Sequence, residues 1–173
     1  MASHDYIRAA VNALLARHET RAPLVLAEAE GIHLYPRHNF HDLRGMYAKV
    51  GQWPCIFYKA DLPEPQVAEI VAHELGHHCL HEEYIEAGQE FIEHSLFDPR
   101  SKLEREANFF AAELLISDAD FMEALQTEES LDWLARRSGY NQDLWLYKAE
   151  LMRAAGHKFS LPYSPRIDFW QRS

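Results

Sequence analysis

Residues 71–84 read VAHELGHHCLHEEY, with histidines at 73, 77, 78 and 81. An α-helix turns about 100° per residue, so His73 and His77 leave one face a turn apart and their imidazoles can share a metal ion. Glu74 follows His73 directly. Neutral imidazoles suit zinc, and a carboxylate beside the pair suits a base that takes a proton from attacking water. His81 extends the i, i+4, i+8 series. On a straight helix, however, its Cα lies roughly 12 Å from that of His73, too far for all three rings to meet one ion. His78, about 100° round from His77, is assigned a supporting or merely structural place. Cys79 points elsewhere.

The flanking residues put this stretch on a helix of an α+β chain. Ile7, Ala10, Val11, Leu14 and Leu15 form the apolar stripe of a first helix, and RAPLVLAEAEG is a second, with Pro23 in its first turn and Gly31 closing it. IHLYP, GMYAKV and PCIFYKA alternate as short strands, the last two flanking a turn at Gly51 and Gln52. After Asp61 the pattern becomes helical, with Pro63 and Pro65 tolerable in a first turn, and Val67, Ile70, Val71 and Leu75 following.

The polar stretch from His81 to Ser101 reads as a loop or frayed helix. A strong helix follows from about Lys102 to Ile116, and further helical pattern covers Ser130 to Ala155. N-terminal helices, a small mostly antiparallel sheet, the histidine helix and later helices predict an α+β fold. We expect a single domain over 1–173: a core of about 5–125, a helical extension of about 126–158 and an irregular tail, 159–173.

Length and composition are those of a globular chain able to bury a core. The net charge of −10 argues against non-specific nucleic-acid binding, which needs a basic face. No stretch approaches the ~20 apolar residues of a membrane span, and the start lacks an apolar segment behind basic residues. Together with two cysteines, Cys55 and Cys79, this gives an expectation of a reducing cytoplasm and no membrane partner.

A third ligand is sought on SKLEREANFFAAELLIS, residues 101–117, which carries Glu104, Glu106 and Glu113. Its apolar stripe is Ala107, Phe110, Ala111, Leu114 and Leu115. Glu104 falls about 50° from the stripe's centre, Glu106 about 110° and Glu113 about 130°, so Glu104 alone is expected to face inward. A buried carboxylate needs a cation or hydrogen bonds to compensate it, and a metal would do so. Glu106 is the rival if the helix is rotated. Asn108, one turn after Glu104, is placed to orient a ligand histidine.

AHELGHHCLH followed by EREANFFAAELLI resembles the ImmA/IrrE metallopeptidases, whose pattern is HELGH…LH and then E-x-x-A-N-x-F-A-x-x-LL. The resemblance extends over about Tyr6 to Ser117, taking in APLVLAEAEGIHL, LRGMYAK and the CIFY strand. LLIS departs from it where many relatives carry a proline after LL. The resemblance implies a zinc endopeptidase fold in which Glu104 completes the ligand set of His73 and His77, Asn108 supports a histidine and Glu74 is the catalytic base. It also implies a substrate class: a helix-turn-helix repressor encoded alongside, controlling genes of a phage or mobile element. Tyr47, Tyr58, Tyr84 and His94 are candidates to stabilise the oxyanion, and the sequence does not choose among them.

Three other readings remain open. A deformylase-like site would take Cys55 as third ligand. A DNA-associated regulator would use LARRSGYNQDLW as a helix-turn-helix, although direct nucleic-acid binding is not expected of so acidic a chain. A catalytically silent module would hold zinc structurally, which ordinarily takes four protein ligands. The tail aromatics Tyr163, Phe169 and Trp170 would either dock a partner or fold back on the domain.

Overall fold

Ser3 accepts a hydrogen bond from the Tyr6 backbone and opens the first helix of the computed structural model, α1, His4–His18. The structure describes residues 3–38, 40–41, 43–86, 91–93, 102–127 and 129–161, with side chains of 82–86 and 91–93 excepted. The tail from 162, with Tyr163, Phe169 and Trp170, and the side chains of Tyr84 and His94 lie outside the described residues.

Helix α2, Pro23–Ala29, begins on its proline, whose missing N–H costs nothing at that position. Gly31, at φ 77°, then turns the chain into β1, His33–Arg37. Strands β2, Gly45–Val50, and β3, Trp53–Lys59, form the expected hairpin around Gly51, at φ 65°. The sheet order is β1-β3-β2-β4: β1 runs parallel to β3, and the other two pairings are antiparallel.

The histidine stretch lies on α3, Glu64–Glu86. This helix continues past His81, and Phe91–Glu93 forms β4 on the edge of β2, where a loop or frayed helix was expected. Strand pairing is a contact with distant chain, and nothing local announces three such residues. Beyond α4, Lys102–Leu115, a further helix not foreseen, α5, Asp118–Gln126, is capped by Ser117. The helical pattern after Ser130 is two helices, α6, Leu131–Ser138, and α7, Gln142–Ala154, separated by Gly139 at φ 76°. No helix among the described residues is long and apolar enough to cross a membrane.

Helices cover one face of the sheet, burying Tyr47 and Ile56 against α3 and its neighbours. Helix α4 lies between α3, α1 and α7, and every residue from Glu106 to Leu114 on it is buried. Helix α7 in turn buries Leu144, Trp145, Tyr147, Ala149, Leu151 and Met152. A recognition helix must offer a free face to a DNA groove. The second helix of the LARRSGYNQDLW pair is instead a wall of the core, and a Cβ on Gly139 would lie 2.7 Å from Pro65 at the start of α3.

Candidate metal centre

Gly76 decides how closely α3 and α4 approach. A Cβ there would meet Ala107 Cα and Phe110 Cβ at 3.1 Å, so the glycine of HELGH is where α4 rests on α3. This contact carries Glu104 to the imidazole pair. The Nε2 atoms of His73 and His77 are 3.1 Å apart, Glu104 Oε2 is 3.2 Å from His73 Nε2, and Glu104 Oε1 is 3.4 Å from His77 Nε2.

Each side chain has its own support. Asn108 Oδ1 lies 2.8 Å from His73 Nδ1, while the Asn108 amide donates to Tyr147 Oη at 3.5 Å. The Asn108 carbonyl therefore takes the Nδ1 proton of His73, and its Nε2 lone pair faces Glu104 and His77. Burial lowers the pKa of His77 to about 4, against the opposing pull of Glu104, so this ring is neutral at physiological pH. Burial opposes ionisation of Glu104, but the influence of the two imidazoles beside it outweighs burial and holds the carboxyl well below its ordinary range.

A set of neutral nitrogens and a carboxylate converging on one point fits a divalent cation. Metal–ligand bonds of about 2.1 Å in a tetrahedron separate neighbouring ligand atoms by roughly 3.4 Å, close to the spacing found here. Among the described residues, His73, His77 and Glu104 are the group whose ligand atoms gather in this way. Cys55 is not part of it. Its buried thiol donates to Trp53 O at 3.4 Å within β3, and burial pushes its pKa up.

Glu74 is fully buried, and its carboxylate packs against the first residue of β2. A Cβ on Gly45 would come within 2.5 Å of Glu74 Oε1, so only glycine leaves room there. Gly45 was not among the expected site residues; a glycine opening a strand was the available signal of a close approach. His78 turns toward the sheet, where its Nδ1 lies 2.7 Å from Tyr47 Oη and ties α3 to β2.

The expected inward direction of Glu104 alone needs correction. Glu106 and Glu113 are 4% and 5% exposed and are more buried than Glu104. Helix α4 is enclosed on several sides, so its apolar stripe does not mark its whole interior face. Each buried glutamate meets a basic or imidazole partner from elsewhere in the chain: Glu106 faces His81, and Glu113 faces Lys148.

Glu69, one turn before His73, is 2% exposed; its Oε2 accepts from Asn141 N at 3.1 Å, while Oε1 is buried with no hydrogen-bond partner among the described residues. Burial raises its pKa from 4.5 to about 7, against the Asn141 hydrogen bond and the charge of Arg44. A carboxyl whose pKa is higher folded than unfolded favours the folded chain below about pH 4.5, and that advantage is lost as pH rises through about 7. The shift corresponds to ~3 kcal/mol. Glu69→Gln is therefore expected to flatten the pH dependence of stability between about pH 5 and 8 and to raise Tm at the alkaline end by several degrees. Thermal melts across that range measure it, and an unchanged slope would contradict the assignment.

A helix carrying HExxH, packed on a second helix that adds a carboxylate, is the framework of a metal-dependent peptidase. The family described as Peptidase_M78, IrrE N-terminal-like domain, matches residues 27–141, and the chain belongs to it. The "Uncharacterized immunity region protein 2" of Bacillus phage phi105 is 31% identical over 141 residues, which cover 82% of this chain and 87% of that protein.

Proposed function

We propose that the chain is a zinc-dependent endopeptidase, with residues 1–173 forming one metallopeptidase domain that acts in the cytoplasm. His73, His77 and Glu104 hold the ion and Asn108 orients His73. Bound zinc would polarise the scissile carbonyl and acidify the attacking water. Glu74 takes the proton from that water and delivers it to the leaving amine. The buried wall around Glu74, closed by Gly45, keeps the carboxylate in place for both transfers. The observation that carries this reading is the convergence, at 3.1–3.4 Å, of two imidazole Nε2 atoms from the helix that also bears Glu74 with one carboxylate from α4.

Membership of a peptidase family and likeness to a phage immunity-region protein support a substrate of the same setting: a helix-turn-helix repressor of a phage or mobile element. Purified protein is expected to hold about one equivalent of zinc, and Glu104→Ala to lose most of it, as measured by elemental analysis after dialysis. Co-expression with the repressor encoded alongside should yield a discrete repressor fragment. An intact repressor would remove that substrate while leaving the metal site standing; a native chain without zinc would remove the enzyme.

A further inference from the structure

A straight helix carries His81 too far along to share an ion with His73, yet the structure keeps its ring against the site by another route. Its backbone, at φ −129° and ψ 20°, is non-helical within α3. One turn after His77, its ring lies beside that residue's: the two Nδ1 atoms are 3.0 Å apart, and the rings tilt at 52°. On the other side, His81 Nε2 lies 3.1 Å from Glu106 Oε2. His81 is 1% exposed and the Glu106 side chain 6%, so both groups are withdrawn from solvent.

We propose that Glu106 and His81 are positioning residues that act through His77, fixing the tautomer in which its Nε2 lone pair is presented to the metal. This rests on the zinc reading above. The chemistry runs in one direction. A carboxylate only accepts, so the proton of neutral His81 is on Nε2 and its Nδ1 is bare. A bare Nδ1 at 3.0 Å requires the facing His77 Nδ1 to carry the hydrogen. The Nε2 of His77 is then left as a donor to a cation. The opposite tautomer would aim an N–H at the point where the ligands meet. Histidine ligands commonly donate their second N–H to a carboxylate or carbonyl, as His73 does to Asn108. Here an imidazole is interposed, so the influence of Glu106 reaches His77 through a neighbour.

The test uses the full chain. Nitrogen-15 NMR of the imidazoles in the metal-free protein should show His77 protonated on Nδ1 and His81 on Nε2. Zinc affinity, read by competition with a chromophoric chelator, should fall about 10- to 100-fold in His81→Leu. It should stay within a few-fold of native in His81→Asn, whose amide oxygen falls near the position of Nδ1. Glu106→Gln should weaken zinc binding in the native background and add nothing in the His81→Leu background, because Glu106 acts only through that ring. A role confined to packing would leave the His77 tautomer unchanged in every variant. A native His77 protonated on Nε2, native affinity in His81→Leu, or additive losses in the double variant would each overturn the proposal. If His81→Leu does not fold, the tautomers of the native chain still decide. If the native chain takes no zinc, the zinc reading fails by itself, and the imidazole spectra still judge the relay.

Discussion

Glu74→Gln is expected to bind zinc as tightly as the native chain and to cleave its substrate about 10²- to 10⁴-fold more slowly. The amide has the size and shape of the carboxylate, so it fits the buried space beside Gly45. It cannot accept the proton of the attacking water. Zinc retention follows because Glu74 is not among the three residues whose ligand atoms converge. The loss corresponds to ~3–5 kcal/mol of transition-state stabilisation. Metal analysis and single-turnover cleavage of a purified substrate, run on the same preparation, measure the two halves separately. Cleavage at the native rate would place the base on another residue. Loss of zinc would make Glu74 part of the metal's support.

The parts of the site that were legible in the sequence are those written within one or two helical turns. His73 and His77 share a face because four residues separate them, and Glu104 and Asn108 do so on α4 for the same reason. The family resemblance pointed to the same four positions. What was not legible depends on distant chain. The partner of the buried Glu106 is a ring 25 residues earlier, that of His81 on α3. Straight-helix spacing puts His81 beside His77, but it says nothing of the carboxylate from α4 that meets the far side of the His81 ring. Gly45 was missed because the group it admits, the Glu74 carboxylate, arrives from a later helix. The apolar stripe of α4 misled for a related reason. Hydrophobic periodicity reports a helix with one dry side, whereas α4 packs against α1, α3 and α7.

Enclosure of α4 also sets the largest expected effect on stability, that of Lys148→Met. Lys148 is fully buried on α7, with its Nζ 2.7 Å from Glu113 Oε2 on α4 and 2.6 Å from Asp118 Oδ1 on α5. Arg8 of α1 joins the same cluster, 3.4 Å from Glu113 Oε1 and hydrogen-bonded to Asp118. Four helices therefore meet on two cations and two carboxylates. Burial works against ionisation of Asp118, yet its bonds to Lys148 and Arg8 prevail and lower its pKa. Methionine would fill the volume of Lys148 and leave the Glu113 carboxylate buried with Arg8 as its remaining partner in the cluster. Breaking one side of a buried ion pair costs about 3–5 kcal/mol, and Arg8 should keep the loss near the lower figure. For a chain of this size that lowers Tm by roughly 6–12 °C, measurable by calorimetry. Pairing the change with Glu113→Leu removes the stranded charge together with its partner, so the double variant should recover much of the loss. If Lys148→Met alone melts with the native chain, the cluster is not what holds α7 to α4, and the apolar contacts of Leu144, Leu151 and Met152 hold it without the ions.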